Sequence, residues 1–452
     1  MIYLNYIKFW IHMLNISYIK ANREFIIEVA KNKKVSVDID YLVNLYEQRQ
    51  NFSQQIEALR ADKNSIAEQM KQMATLTDNE KQNLIQKGKD IKDELQTLEE
   101  EFAKIDETYQ GEMYKVPNIY SDDTPVGLSE DENVVLRQVG EKPEFIFTPL
   151  EHWQLGKNLN LIDTEKSAEV SGARFAYLKG DLVIMQFALI QWVMSILQNS
   201  NAIQDIAYQA GLGNISYKSY TPVIPPILMK PEVMKRMGRL DPIDDRYQTT
   251  EDGLMLVGSA EHTLGPLHMD EILNSRDLPL RYVGYSTSFR REAGTYGKDM
   301  KGILRLHQFD KIEIEVFSDK DSGFAEQDLI LAIQEYLMQQ LELPYQVVLK
   351  CTADMGTPDI RAIDIEAWLP GQNQYRETHT SDYMGDFQAR RLQTRYKDSE
   401  GNKHFVHMND ATVFAIGRIL IAIMENYQQA DGSIVIPKVL RSYLAKDIIT
   451  KN

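Results

Sequence analysis

Two short runs of charged and aromatic residues, at 289–292 and 305–309, flank a stretch that contains three glycines between residues 294 and 302. If both runs are strands of one hairpin, side chains of equal parity share a face of each strand. Guanidinium groups there could bind phosphates, an aromatic ring could stack on a base, and a carboxylate could accept from an exocyclic amine. The predicted face carries Arg290, Glu292, Arg305, His307, Phe309, Lys311 and Glu313. This combination suits a nucleoside triphosphate.

The same residues would also fit an exposed hairpin with ordinary cross-strand ion pairs, because most surface pairs have no functional role. The spacing of the whole set favours the nucleotide site. The string from Thr287 to Lys311 resembles motif 2 of the class II aminoacyl-tRNA synthetases, and the version of the seryl-tRNA synthetase family in particular. The resemblance covers nearly the whole chain, from Met13 to about Tyr443.

Other strings resemble further parts of that family. Residues 220–226 contain paired prolines and resemble motif 1, whose proline belongs to a dimer interface, although a strand edge or turn would also explain them. Residues 415–418 resemble motif 3, where an arginine emerges from an apolar helix. Residues 259–261 read Ser-Ala-Glu where the family usually has Thr-Ala-Glu, and residues 386–391 resemble the family closely.

The resemblance implies roles for individual residues. The catalytic residues would be Arg290, Arg305 and Arg418. ATP would be bound by Arg290, Arg291, Glu292, Arg305, Phe309, Glu377, Thr378, His379, Thr380 and Arg418, and Glu377 would hold Mg²⁺ near the phosphates. Serine would be bound by Ser259, Ala260, Glu261, Arg290, Glu313 and Thr412. A buried carboxylate can accept from an ammonium and a hydroxyl together, and such a site rejects analogues that lack the hydroxyl by ~10⁴–10⁵.

Three residues near these motifs depart from the family pattern. His379 stands where the family usually has serines, His262 follows the Ser-Ala-Glu string, and Asp410 falls where asparagine is usual. Either Asp410 or its neighbour Asn409 could take the role of that asparagine. His262 and His268 are expected to be structural, since no paired ligand spacing accompanies them.

A heptad repeat occupies two consecutive segments between residues 40 and 110. Apolar or long side chains recur in steps of three and four from Leu42 to Met73, and again from Leu84 to Tyr109. A short connection makes two such helices antiparallel neighbours, each about 33 residues and roughly 50 Å long. A coiled-coil dimerisation module would show the same pattern. The resemblance implies instead an arm that grips the long variable arm of a tRNA.

Charge limits how such an arm could bind RNA. Residues 38–110 contain nine lysines and arginines against sixteen acidic residues, and the whole chain has a net charge of -16. This balance argues against a general nucleic-acid coat. Because phosphates must be neutralised, contact with tRNA would use local basic positions. The candidates are Arg49, Arg60, Lys63, Lys71, Lys81, Lys87 and Lys89.

The cysteine content and the N-terminal residues indicate the cellular compartment of the protein. Cys351 is the single cysteine, which excludes a disulfide framework and a cysteine-based zinc cluster and favours a reducing, cytoplasmic location. Residues 1–12 are apolar but too short to span a bilayer, and they lack a secretory cleavage site. They are predicted to be a non-native or disordered extension, and no membrane partner is expected.

The sequence thus predicts an α+β protein of two parts. An N-terminal antiparallel α-helical coiled-coil arm would occupy residues 13–117. A class II synthetase catalytic domain would follow at 118–452, built on a mainly antiparallel β-sheet with flanking helices. Helices are predicted over 181–198 and near 412–427.

The resemblance implies an enzyme that activates L-serine with ATP and Mg²⁺ and transfers it to tRNA(Ser). The family also allows tRNA(Sec) as an acceptor, and it implies a homodimer. Two alternatives stay open. One is a synthetase-like ligase that charges a different carrier, against which the long arm argues. The other is a catalytically inactive tRNA-binding paralogue or coiled-coil adaptor, against which the retained arginines and glutamates argue.

Overall fold

The computed structural model describes residues 15–71, 76–292 and 301–451. These residues divide into two compact units, with the boundary between Pro117 and Asn118. The predicted N-terminal extension lies outside the described residues, as do residues 72–75 between the heptad segments and residues 293–300 of the glycine-containing stretch.

The first unit, here called the arm unit, is helical. Two long helices carry the heptad pattern, and their ion pairs show that they run antiparallel. Arg49 pairs with Asp106, whereas Arg60 Nη2 lies 2.7 Å from Glu99 Oε1, so partners descend on one helix as they ascend on the other. The helices are α1 (Ile16–Ala21), α2 (Arg23–Asn32), α3 (Ile39–Lys71) and α4 (Asp78–Lys115). The predicted helical arm is confirmed.

The start of α4 follows from a capping box. Thr77 is the N-cap, its hydroxyl accepts from the Glu80 N–H, and the Glu80 carboxylate accepts from the Thr77 N–H at 2.8 Å. Two backbone donors that the helix leaves free are satisfied in this way. Within the two long helices, away from their end residues, few apolar side chains are buried. They form a thin seam of Leu42, Val43, Leu45, Ile56, Leu95 and Tyr109.

The second unit, here called the catalytic unit after the catalytic domain predicted for these residues, is built on one large sheet. Its strand order is β1-β10-β11-β12-β15-β9-β8-β4, and neighbours are antiparallel except β4 and β8. The strands are β1 (Val134–Val139), β2 (Ile162–Asp163), β3 (Tyr177–Leu178), β4 (Thr221–Val223), β5 (Leu228–Met229), β6 (Met255–Leu256), β7 (Ile272–Asn274), β8 (Leu280–Phe289), β9 (Gln308–Ser318), β10 (Tyr345–Leu349), β11 (Arg361–Leu369), β12 (Gln374–Gly385), β13 (Arg395–Lys397), β14 (Lys403–Phe405), β15 (His407–Ala415), β16 (Ile434–Val435) and β17 (Ile448–Ile449). The α+β prediction is confirmed.

Helices flank this sheet. They are α5 (His152–Asn158), α6 (Thr164–Ser171), α7 (Asp181–Leu197), α8 (Ser200–Gln209), α9 (Pro231–Arg236), α10 (Glu261–Leu264), α11 (Gly323–Gln340), α12 (Phe387–Leu392), α13 (Ile416–Asn426) and α14 (Arg441–Leu444). Apolar side chains of α7, α11 and α13 form the main core with the sheet. The prediction of a helix from 412 was wrong at its start, because residues 412–415 continue β15 in register with β9.

Two further features concern the surface and the thiol. Among the described helices, none alone has the length and apolarity needed to cross a bilayer. Only α7 and α8 taken together pass that test, and they are bent by 82°. Cys351 is fully buried in the catalytic unit, where its thiol donates to the carbonyl oxygen of Ser129 at 3.2 Å.

Candidate active site

The hairpin of β8 and β9 carries the centre of the site. The prediction that both flanking runs are strands was wrong near the loop that joins β8 and β9. β8 ends at Phe289 and β9 begins at Gln308, so Arg290, Glu292 and Arg305 lie beyond the ladder. The backbone turns away there, and Glu292 has a positive φ of 53°. One last backbone bond, from Arg290 N–H to the His307 carbonyl at 3.0 Å, still ties the two ends together.

Despite that change, most predicted residues line one cleft. From the nucleotide set, the walls contain Arg290, Glu292, Arg305, Phe309, Glu377, Thr380 and Arg418. From the serine set, they contain Arg290, Glu261 and Thr412. The cleft also includes Arg239, Lys311, Asp382 and Asp410, which are not among the residues predicted to bind ATP, serine or Mg²⁺.

The open end of the cleft is rich in guanidinium groups. Arg290 donates from Nε to the Gly258 carbonyl at 3.0 Å, and its guanidinium lies 5.4 Å from the centre of the Phe309 ring. Arg305 Nη1 lies 2.7 Å from Glu292 Oε2. These contacts hold the arginines along the cleft wall, where their remaining donors could bind phosphate oxygens.

Strand β12 and helix α13 form the opposite wall. Arg418 Nη1 donates to the Glu377 carbonyl at 2.8 Å and lies 3.2 Å from Glu377 Oε1. The position of Glu377 within the cleft would raise its pKa, but the charge of Arg418, supported by Lys350, Lys311 and Arg290, lowers that pKa below its usual range. Glu377 therefore stays an anion that can bind a cation.

The residues at Glu377 fit a magnesium ion that arrives with a nucleotide. The Glu377 carboxylate is 48% exposed, and the Thr380 hydroxyl lies 3.5 Å from its Oε1, so both offer oxygen ligands to the cleft. Within 15–71, 76–292 and 301–451, no cluster of three or more His, Cys, Asp or Glu is placed to hold a metal alone. Mg²⁺ typically binds through one or two carboxylates plus substrate phosphates.

The closed end of the cleft surrounds Glu313, which is fully buried. Its Oε1 accepts from Ser259 Oγ at 2.7 Å and from Thr412 Oγ1 at 3.3 Å, and it pairs with Lys311. Its Oε2 has no hydrogen-bond partner among the described residues. Burial raises the pKa of Glu313, and Lys311 opposes that shift. The result is a carboxylate directly beneath the cleft with one acceptor oxygen still available.

Glu261 lies beside this floor at the start of α10. Burial alone would raise its pKa, but the charges of Arg239, Lys311 and Arg290 lower it to about 2. An ionised carboxylate at the cleft surface is a suitable partner for an ammonium group.

Other predicted residues do not reach the cleft wall. Thr378 and His379 belong to β12, but both are buried on the side of the strand that faces away from the cleft. A bulge opposite Ile365 and Glu366 brings the two residues to that side, where His379 packs on the Phe414 ring. Arg291 is exposed outside the cleft, while Ser259 and Ala260 lie buried behind it.

The unusual histidines have structural contacts. His262 Nδ1 accepts from the Gly258 N–H at 3.1 Å, and His379 Nδ1 lies 2.8 Å from the Thr378 hydroxyl. Burial lowers the pKa of both rings to about 3, so both are neutral. His262 is thus a structural residue, as expected from the sequence.

Comparisons with known proteins agree with this arrangement. Residues 13–120 match the model of the seryl-tRNA synthetase N-terminal domain, and residues 244–427 match the tRNA synthetase class II core domain (G, H, P, S and T). The chain is 35% identical to the serine–tRNA ligase of Thermodesulfovibrio yellowstonii, over 97% of this chain and 100% of that protein. It is 36% identical to that of Treponema denticola over the same shares.

The chain belongs to the seryl-tRNA synthetase family. Solved structures of the family have the same fold. The seryl-tRNA synthetase of Pyrococcus horikoshii, complexed with ATP, has a TM-score of 0.85 at 32% identity and covers 97% of this chain and 100% of its own. The cytoplasmic serine–tRNA ligase of Naegleria fowleri, in complex with AMP, has a TM-score of 0.80 at 28% identity, with 98% and 99% covered. The resemblance read from the motifs is confirmed.

For two of the cleft residues outside the predicted site of this seryl-tRNA synthetase family member, the sequence contains a feature that indicates a place in the cleft. Lys311 shares the face of Phe309 and Glu313 by parity, so its place beside Glu313 was predictable. Asp410 is one of the three residues near the motifs that depart from the family pattern. Arg239 carried no sequence signal, since it lies in a loop between α9 and β6.

Proposed function

We propose that this chain activates L-serine with ATP, forming seryl-adenylate and pyrophosphate, and then transfers the serine to the 3′ end of tRNA(Ser). The observation that carries the proposal is one cleft lined by three arginines and by carboxylates, with the buried Glu313 directly beneath it. Cations there suit a triphosphate and the carboxylates suit an amino acid with a hydroxyl. The names of the relatives, and the ATP and AMP in their structures, support the same reaction.

The first step needs positioning and charge stabilisation. A serine carboxylate oxygen attacks the α-phosphorus, and the bond to the bridging oxygen of pyrophosphate breaks. Arg290, which lines the cleft beside Phe309, is proposed to bind the α-phosphate and the serine carboxylate, while Arg305 and Arg418 bind the γ-phosphate. Fixed cations at the oxygens where charge develops stabilise such a transition state.

The nucleotide would lie along the open end. Phe309 is proposed to stack on adenine, and Glu292 to accept from the adenine amino group, with Arg291 nearby. Mg²⁺, when bound, neutralises phosphate charge, and Glu377 with Thr380 would hold it. For Thr378 and His379 the resemblance is the sole support, and their burial fits a role in shaping β12 behind the cleft.

Serine would occupy the closed end. Glu261 is proposed to bind its ammonium group, and Thr412 and the unpartnered Oε2 of Glu313 its hydroxyl. Lys311 pairs with the other oxygen, Oε1, so Oε2 is the acceptor that remains for the hydroxyl. Ser259 fixes the Glu313 carboxylate through its hydroxyl group, and for Ala260, buried behind the cleft, the resemblance is the sole support. Alanine and glycine would leave the buried carboxylate without a hydroxyl partner.

In the second step, a terminal ribose hydroxyl of the tRNA attacks the seryl carbonyl carbon and AMP leaves. Residues 13–117 are proposed to form the tRNA-binding arm and residues 118–452 the catalytic domain. A homodimer, a cytoplasmic location and the additional acceptor tRNA(Sec) belong to the same proposal, on the support of the family resemblance.

ATP–pyrophosphate exchange with each of the twenty amino acids tests the first step. Serine alone should support rapid exchange, and exchange with another amino acid but not with serine would refute the proposal. Aminoacylation of tRNA(Ser), tRNA(Sec) and a carrier protein then separates a tRNA ligase from a carrier ligase. Absence of ATP binding in calorimetry would favour an inactive adaptor.

A further inference from the structure

Arg239 lies at the floor of the cleft and its backbone is firmly held. Its N–H donates to the Met234 carbonyl at 3.1 Å, and its own carbonyl accepts from Arg246 Nη2 at 3.0 Å. The side chain is 17% exposed. The guanidinium is therefore directed into the cleft by a fixed loop, although it makes no part of the predicted site.

The guanidinium of Arg239 stands between two carboxylates. Its Nη2 donates to Asp410 Oδ2 at 2.7 Å, and its Nε lies 3.3 Å from Glu261 Oε1. Without Arg239, the cleft floor would therefore hold the buried Asp410 and the partly exposed Glu261 with no cation between them, and a like charge nearby disfavours the ionised form of each.

The surrounding strands add to this excess of acid. Asp410 on β15 is directly opposite Asp382 on β12 and Glu315 on β9, so three buried carboxyl groups form a row across the sheet. Neither oxygen of Glu315 has a hydrogen-bond partner among the described residues. Burial, followed by the charge of Asp410, raises the pKa of Glu315, and burial with the charge of Glu261 raises that of Asp410.

We propose that Arg239 is a positioning residue of the amino-acid site, which bonds Asp410 on one side in order to hold an ionised Glu261 toward the ammonium group of the substrate. Arg239 and Asp410 form a matched pair in this chain, and neither is expected to touch the nucleotide. The inference rests on the proposed function, in which Glu261 binds the substrate ammonium.

Replacement of Arg239 separates this role from general stability. In Arg239→Gln, Glu261 and Asp410 would compete for one proton, and Glu261 would lose negative charge. The KM for serine in ATP–pyrophosphate exchange should rise at least tenfold, while the KM for ATP changes less than twofold. Arg236→Gln is the matched control, because Arg236 pairs with Asp270 at 3.0 Å near the same helix but does not line the cleft.

The second variant tests the pairing itself. Adding Asp410→Asn to Arg239→Gln removes the competing carboxylate and should return the serine KM to within threefold of the Asp410→Asn value. If Arg239→Gln alone does not fold, this comparison of the double variant with Asp410→Asn still decides. An equal rise in both KM values, or a double variant with no recovery, would overturn the inference. Loss of serine-dependent exchange in the unmodified chain would instead reject the proposed function.

Discussion

The arm unit and the catalytic unit differ in the solvent exposure of their ion pairs. In the arm unit, Arg60 and Glu99 are 2.7 Å apart with side chains 60% and 46% exposed. In the catalytic unit, Arg281 and Glu326 are 2.8 Å apart and almost completely buried, and Lys311 and Glu313 are buried as well. Pairs of this kind thus lie in water in the arm unit, whereas the catalytic unit also encloses some of its pairs inside the protein.

This difference separates two kinds of function. An exposed pair contributes little to stability, so arm charges can be exchanged or can bind RNA without loss of the fold. A buried charge needs its partner, because an unpaired ion inside a protein is strongly unfavourable. In the catalytic unit, the residues proposed to bind substrate also support one another, so a change at one alters the rest.

The largest expected effect is at Arg290, which lines the cleft and belongs to both the proposed ATP site and the proposed serine site. Arg290→Ala removes a cation proposed to stabilise charge at the α-phosphate, so kcat/KM for serine-dependent ATP–pyrophosphate exchange should fall by about 10³-fold or more. Arg276→Ala, at a position whose side chain is 81% exposed in the same unit, should exchange normally. Near-normal exchange in Arg290→Ala would remove this residue from catalysis.

The second largest effect is expected in the stability of the protein when Lys311 is replaced. Lys311→Met leaves the buried Glu313 without its cation and should lower the free energy of unfolding of the catalytic unit by about 3–5 kcal/mol. Denaturant unfolding followed by tryptophan fluorescence measures this, since Trp153, Trp192 and Trp368 belong to that unit. Glu313→Gln added to Lys311→Met should recover most of the loss. A loss below about 1 kcal/mol would contradict the coupling of buried charges.

A smaller effect should appear in the pH dependence. Burial lowers the pKa of His379 to about 3, whereas an unfolded histidine titrates near 6.5. Between about pH 4 and 6 the unfolded chain binds a proton there and the folded chain does not. The free energy of unfolding should therefore fall with falling pH, by up to about 1.4 kcal/mol per pH unit from this group. His379→Asn should flatten the slope by that amount; an unchanged slope would show that His379 is not buried as neutral imidazole.

The smallest effect is expected in the arm unit. Glu99→Gln breaks the exposed pair with Arg60 and should change the free energy of unfolding by less than about 1 kcal/mol, and by less still in 1 M salt. Helix unfolding followed by circular dichroism measures this change. A loss of 3 kcal/mol or more would end the distinction between the two units.

The fold was largely predictable because its signals are local or periodic. The heptad spacing indicated two antiparallel helices, and parity along β9 brought Phe309 and Glu313 to one face. The motif strings identified the family, and they also indicated Arg305, Glu377 and Arg418, which meet in the cleft.

The remainder depended on geometry that no short string encodes. The bulge opposite Ile365 and Glu366 reverses the parity of β12, so His379 turns inward although Glu377, two residues earlier, faces the cleft. The partnership of Arg239 with Asp410 joins residues 171 positions apart and depends on the register of β15 with its neighbours. Such pairs arise only when the sheet is assembled.

The burial of Cys351 has a practical consequence for following the protein at work. The chain has a single thiol, and it is enclosed in the catalytic unit with its hydrogen directed to Ser129. A cysteine introduced at an exposed arm position such as Glu107 would therefore be the accessible thiol for a maleimide dye. One fluorophore could then be attached to the arm alone, and its anisotropy during titration with tRNA would report RNA binding without altering the cleft.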